Sequence, residues 1–202
     1  MFEPRTSSAP HLISDLIQKL DAQFALKQLW QVDYFLGIEV HHLSSGDLLN
    51  QAKYVRDLLC KAHMEDSKPI GSPMMSSSRL SKFGTDYMSD LTLYRSTAGA
   101  IQYATLTRPN IAFSVNKVCQ FMTQPLESHW KTIKMILRYL KGTISHGLLI
   151  NSSSTSPPFS LRAFSDADWA TDQDDRRSTS GSCIYFGPNL VSWSSKKQLL
   201  VS

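Results

Sequence analysis

A mixed α/β (α+β) fold is predicted for this 202-residue chain by three observations. Apolar residues recur at three- and four-residue spacing in five stretches, the pattern of helices that bury one face. Alternating segments bounded by Gly, Ser, Pro and Asn lie on either side of a helical middle, at residues 34–51 and 159–194. The composition, 42% hydrophobic and 19% charged, suits a chain that builds a core and argues against disorder.

The elements follow in order. In "SSAPHLISDLIQKLDAQFAL", Leu12, Ile13, Leu16, Ile17, Leu20 and Phe24 form one stripe, with Ser8 as cap and Pro10 in the first turn. "DYFLGIEVHHLSSGDLLNQ" predicts a hairpin of two strands, Tyr34–His41 and Asp47–Gln51, joined at Ser44-Ser45-Gly46. "AKYVRDLLCKAHM" is helical, with Tyr54, Val55, Leu58 and Leu59 on one face. Residues 66–90, rich in Ser, Pro and Gly, predict an ordered but irregular connector. Three helices follow. The first ends at Arg108-Pro109, because proline disfavours helix at the residue before it. The second starts at Pro109. The third carries Trp130, Ile133, Ile136, Leu137 and Leu140 inward and ends on Gly142 as a left-handed cap. "SHGLLI" is a short strand, and "NSSSTSPP" a polar linker and domain boundary. Beyond it, Phe159–Ser165, Gly181–Phe186 and Leu190–Ser194 predict three strands, the last two joined at Gly187-Pro188-Asn189.

Charge is unevenly spread. The whole chain carries +4. Between Leu91 and Ile150, Arg95, Arg108, Lys117, Lys131, Lys134, Arg138 and Lys141 face a single acid, Glu127, a local +6 that attracts polyanions. Lys131, Lys134, Arg138 and Lys141 share a helix face, which suits either a solvated surface or phosphate contacts. Cys60, Cys119 and Cys183 are widely spaced and form no CxxC pair, so neither a disulfide framework nor a zinc site is expected, and the reading is a reducing, intracellular protein. No apolar run approaches the length of a membrane span, and no membrane partner is expected.

The acidic stretch 163–181 holds Asp166, Asp168, Asp172, Asp174 and Asp175. It is not a calcium loop. Counting from Asp166, Ala170 stands at the fifth position, Thr171 at the sixth and Arg177 at the twelfth, where a ligand, a glycine and a glutamate belong. Asp166 at the end of an alternating strand suits the first carboxylate of a two-metal nuclease. Asp172, Asp174 and Asp175 are expected in a solvated acidic loop. "RRST" at 176–179 matches a basophilic phosphorylation pattern. His41 and His42, adjacent on a strand, point to opposite faces and do not make one metal site. Trp30, Trp130, Trp169 and Trp193 are expected in the core or at its rim. GxxxxGK[ST], HExxH and GxSxG are all absent.

Four separated blocks nevertheless resemble one family in its own order: "YFLGIEV", "YRSTAGAIQYATLTRPNIAFSVNKVCQFM", "HWKTIKMILRYLKGTISHGLLI" and "FSDADWATDQDDRRSTSGSCIYFGPNLVSWSSKKQ". They resemble the Pol polyprotein of copia-type LTR retrotransposons from about residue 8 onward. The resemblance implies the C-terminal part of a reverse transcriptase at 1–73, with palm- and thumb-like hairpin and helices. It implies a helical connection at 74–150 and a truncated ribonuclease H-like three-stranded antiparallel sheet at 159–202.

The resemblance also assigns roles. Phe35, Leu36, Gly37 and Ile38 match the hairpin that grips the primer strand, where a glycine lets backbone approach the sugar-phosphate. Lys131, Lys134, Arg138 and Lys141 would face an RNA–DNA or template–primer duplex through phosphate contacts. Asp166 would be the first of four ribonuclease H carboxylates that bind magnesium. The others belong to a motif expected beyond "SWSSKKQ", and the polymerase's paired aspartates belong upstream of the first helix. The expectation is therefore a chain that catalyses neither reaction alone, with a nucleic-acid-binding remnant as the alternative. In this family the product resides in cytoplasmic virus-like particles and the nucleus.

Overall fold

The computed structural model describes residues 10–24, 33–75, 78–151 and 160–199. Residues 1–32 and 33–202 form separate compact units. In the first, α1 (Pro10–Asp21) begins at its proline, as the fixed φ of that residue favours. An Asp15–Lys19 pair one turn apart closes at 2.7 Å, and Leu16, Leu20 and Phe24 are exposed. The expected cap, Ser8, lies outside the described residues.

The second unit contains four further α-helices and two antiparallel sheets among the described residues, so the mixed α/β expectation holds. The first sheet has the order β1 (Tyr34–Phe35), β2 (Ile38–Leu43), β3 (Gly46–Asn50) and β4 (Gly147–Asn151). The expected strand 34–41 is in fact two strands. Phe35 pairs with Ile38, and Leu36 and Gly37 between them have φ of +49° and +79°. Two consecutive positive φ values define the primed turn whose twist matches a hairpin. The break was hidden because leucine is not a turn former. β4 adds to β3 with Leu48 opposite Leu149 and Leu49 opposite Leu148. This joins the "SHGLLI" strand to the hairpin across nearly a hundred residues.

Between β3 and β4 the chain lays down its core. Asn50 accepts the Ala52 amide at 2.5 Å, and α2 (Ala52–Lys61) presents Val55, Leu58 and Leu59 inward. α3 (Leu91–Ala104) starts where the Asp90 carboxylate accepts the Leu93 amide at 2.8 Å, an N-cap bond. It buries Tyr94, Ala98, Ile101 and Ala104 completely. α3 stops at Ala104, short of the expected end at Arg108-Pro109, with Thr105 as its C-cap; Arg108 is non-helical before the proline, and a 3-10 turn, Pro109–Ile111, leads into α4 (Ala112–Cys119). α5 (Glu127–Gly142) contributes Ile133, Ile136, Leu137 and Leu140, all fully buried, with Trp130 half-buried against the same core. Gly142 is not a left-handed cap. It is the last helical residue, and Thr143 caps the helix. Its small size has another cause: a Cβ there would lie 3.0 Å from Cβ of Pro69, so glycine lets the connector cross the helix end.

The connector is irregular, as expected, but firmly held. Leu80 and Met88 are buried. The Met88 amide donates to the Pro125 carbonyl at 3.0 Å, and the Glu127 amide to the Asp86 carbonyl at 2.9 Å. His129, fully buried, stacks on Phe121 with ring centroids 3.8 Å apart. Its Nδ1 accepts the Leu126 amide at 2.9 Å, and its Nε2 lies 3.0 Å from the Ser81 carbonyl. Burial lowers its pKa and keeps it neutral.

The second sheet runs β5 (Leu161–Ala167), β6 (Thr179–Phe186), β7 (Asn189–Lys197). All three expected strands are present, each somewhat displaced or longer. Gly187, at φ +57°, begins the two-residue turn between β6 and β7. β7 lies against the helical body. Trp193 Nε1 donates to the Thr105 carbonyl at 3.2 Å, and the Asn189 side chain pairs with the Asn151 backbone at 2.7 and 3.1 Å. No helix among the described residues is long and apolar enough to cross a membrane.

Candidate nucleic-acid interface

The apex of the first hairpin is shaped by its backbone. A bulky residue in left-handed geometry costs about 1–2 kcal/mol, so Leu36 needs support. Tyr103, on α3, supplies it by donating its hydroxyl to the Leu36 carbonyl. Tyr103 packs edge-on against Tyr54, with ring centroids 5.1 Å apart, and Tyr54 donates to the Ala100 carbonyl at 2.9 Å. Gly37 sits over both rings, and a Cβ there would touch Tyr103 at 3.6 Å. The turn is thus fixed from below, while Tyr34, Phe35 and Leu36 face solvent at 54%, 62% and 69% exposure. Neither tyrosine stood out as part of this feature in the sequence.

The basic residues divide. Arg138 Nε donates to the Lys68 carbonyl at 2.6 Å, and Lys141 Nζ to the carbonyls of Glu65 and Ser67. These two cations clamp the connector across the end of α5. Arg95 donates to the carbonyls of Met122 and Thr123, and Arg108 is buried against Thr143. Lys117, also buried, reaches Asp172 at 3.1 Å. Of the seven cations between 91 and 150, Lys131 and Lys134 alone make no hydrogen bond or ion pair among the described residues; Lys131 is exposed and Lys134 half-buried.

The acidic stretch is folded, not solvated. Asp172 is buried, with 2% of its surface accessible, between Lys117 of α4 and Lys197 of β7, the latter 2.9 Å away. It also accepts the Asp174 amide at 3.0 Å. Burial alone would raise its pKa, but bonds from Lys197, the Asp174 amide and Lys117 outweigh it and hold the carboxyl well below the usual range. Asp175 shares Lys197 at 2.9 Å. Asp174 reaches the connector, accepting from Ser81 Oγ at 2.5 Å and the Lys82 amide at 2.7 Å. Asp168 accepts the Thr179 amide at 2.6 Å and the Thr171 hydroxyl. The solvated-loop expectation fails because each of these carboxylates closes the 168–178 loop or ties it to α4, β7 or the connector. Ser178 and Thr179 of the "RRST" match are buried, which hides that motif. Trp169 is neither core nor rim but 78% exposed.

Asp166 stands apart. It is exposed on β5, opposite Gly181, and its Oδ1 accepts the neighbouring Ala167 amide at 2.8 Å. Among the described residues no group of three or more His, Cys, Asp or Glu side chains is gathered to hold a metal ion.

No protein-family model matches the chain, and no solved structure does. Known sequences are more informative. The chain is 42% identical over 193 residues, 96% of its length, to the retrovirus-related Pol polyprotein from transposon RE1 of Arabidopsis thaliana. It is 34% identical over 204 residues to the corresponding polyprotein from transposon TNT 1-94 of Nicotiana tabacum. An uncharacterized mitochondrial protein of Arabidopsis thaliana is 43% identical over 197 residues, 98% of this chain and 80% of that protein. The chain spans 13% of the RE1 polyprotein and 15% of the TNT 1-94 polyprotein.

Proposed function

The chain belongs to the family of copia-type retrotransposon Pol polyproteins, and from that premise we propose that it is the segment that holds an RNA–DNA or template–primer duplex. In this reading residues 33–73 close the reverse transcriptase, 74–150 form the connection, and β5–β7 open a ribonuclease H domain. The observation that carries it is the Tyr34–Ile38 hairpin, a fixed turn that keeps a leucine in left-handed geometry and presents three exposed apolar side chains. Strain persists where the surrounding structure enforces it, and such sites are commonly functional. The apex would meet the sugar edge of one strand, with Lys131 and Lys134 on phosphates. Arg138 and Lys141 support the surface from behind by fixing the connector, not by touching nucleic acid. Asp166 takes the place of the first ribonuclease H carboxylate. No catalytic step is assigned to it, because its described neighbours do not complete a metal site, and the chain alone is expected to cleave nothing.

The test is binding of a fluorescent RNA–DNA hybrid across a salt series, with the hybrid's integrity followed in magnesium. Binding should weaken steeply with salt, and the Lys131→Ala/Lys134→Ala double variant should lower the salt slope by about 2. The hybrid should stay intact. Binding indifferent to salt and to both lysines, or magnesium-dependent cleavage abolished by Asp166→Asn, would overturn this reading.

A further inference from the structure

His129 is a titratable group in the core that the duplex-holding reading does not use. It is fully buried and stands in the first turn of α5, three residues after the N-cap Leu126. Its two ring nitrogens have opposite tasks. Nδ1 lies 2.9 Å from the Leu126 amide, which can only donate, so Nδ1 accepts. Nε2 lies 3.0 Å from the Ser81 carbonyl, which can only accept, so Nε2 donates. One form of the ring satisfies both, the neutral tautomer with its proton on Nε2. A second proton would go to Nδ1 and set two N–H groups against each other. It would also place a cation in the first turn of a helix, where the aligned peptide dipoles favour an anion.

Both partners of the ring are junctions. Leu126 lies where the connector zips onto the start of α5. It forms a β-bridge with Tyr87, flanked by the Met88–Pro125 and Glu127–Asp86 backbone bonds. Ser81 faces two ways. Its carbonyl meets His129, while its hydroxyl at 2.5 Å and the Lys82 amide at 2.7 Å hold the Asp174 carboxylate. Asp174 belongs to the loop in which Asp172 binds Lys117 of α4 and Lys197 of β7. One imidazole thus joins α5, the connector and the acidic loop of the β5–β7 sheet.

We infer that His129 is the proton-sensitive pin of a latch. Neutral, it holds the connector to α5 and, through Ser81, to the 168–178 loop; protonated, it releases both. The surroundings set the direction. Phe121 covers one face of the ring and keeps water from it. Burial opposes the charged form, and it outweighs the Ser81 carbonyl and the Asp174 carboxylate, which both favour the proton. Of the other charged residues near the junction, Lys82 turns its ammonium to the Phe83 ring 5.0 Å away, Asp86 meets α5 through its backbone carbonyl, and Glu127 is the acid in the helix's own first turn. The closed latch therefore holds the ring's pKa below the ordinary histidine value, which returns when the latch opens. Its hold is complete above about pH 6.5 and is lost as pH falls from there toward the folded value. The latch is independent of the duplex-holding reading.

Hydrogen exchange of the whole chain at pH 7 and pH 5, scaled to the intrinsic rate at each pH, tests this. Peptides from 80–88, 125–129 and 168–178 should open about tenfold more for each pH unit below about 6.5, until the folded value is reached. Those from α3 should stay protected. His129→Gln offers a carbonyl to the Leu126 amide and an amide group to Ser81, as a capping-box glutamine does, and it does not titrate. It should stay closed at both pH values. The protein's other histidines remain in that variant, so a pH dependence that survives it overturns the inference. Equal protection of the parent at pH 5 and pH 7 overturns it too. If the variant does not fold, the ring itself decides. Its nitrogen resonances should show the proton on Nε2 at pH 7, and the second proton should arrive together with the exchange of 80–88. A proton on Nδ1 at pH 7, or protonation without opening, overturns the latch.

Discussion

The two edges of the β5–β7 sheet differ in almost every respect, although they belong to one short stretch of sequence. β7 spends its polar side chains on the body, with Trp193 on a carbonyl of the α3–α4 segment and Lys197 on Asp172 and Asp175. β5 spends almost nothing beyond its ladder to β6, and Leu161 is 69% exposed. The difference teaches where this half of the molecule gets its stability. It comes from polar groups withdrawn from water in matched sets, not from apolar residues on the strands.

That contrast can be broken most severely at Asp172. Asp172→Ala leaves Lys117 and Lys197 facing each other without their shared carboxylate. Removal of one partner from a buried ionic set costs about 3–5 kcal/mol, which urea denaturation should report. The pH dependence has the same origin. The folded-state pKa of Asp172 is depressed, so its contribution is complete above the unfolded aspartate value of about 3.9 and is lost as pH falls below it toward the folded value. Asp172→Asn should flatten that acid limb. The middle of the scale is Trp193→Phe, which keeps the ring but removes the donor to Thr105. A loss of about 1 kcal/mol is expected, again by urea denaturation. At the small end, Leu161→Ser on β5 should shift stability by less than about 0.5 kcal/mol in dilute solution, since Leu161 is exposed among the described residues. A Leu161 effect as large as that of Asp172 would erase the distinction between the two edges.

Much of the architecture was legible because periodicity is a local signal. Ile133, Ile136, Leu137 and Leu140 announce the buried face of α5, and alternation announces β5 to β7. Three things were not legible. The turn at Leu36–Gly37 depends on Tyr103, sixty-seven residues away, and nothing near Leu36 suggests a left-handed residue. The fate of a cation is equally hidden. Arg138 and Lys131 lie on one helix face and look alike in sequence, yet one holds a connector carbonyl and the other faces solvent. Asp172 and Asp166 differ in the same way. One carboxylate joins two lysines from separate elements, the other looks outward, and only the fold tells them apart. The resemblance located the hairpin, the basic helix and the acidic strand as blocks. It did not reveal that most of the charge in two of them is used internally.

The β3–β4 pairing has a consequence for how the chain comes into being. The hairpin β1–β3 and α2 involve neighbouring residues and can form soon after they leave the ribosome. β3 must then wait for Gly147–Asn151, with the whole connector and three helices made in between. Until that strand arrives, one side of β3 remains open, and long-range pairing of this kind is slow. Synthesis that halts anywhere before residue 147 therefore releases a molecule whose first sheet lacks its last strand, whatever helices it has already packed.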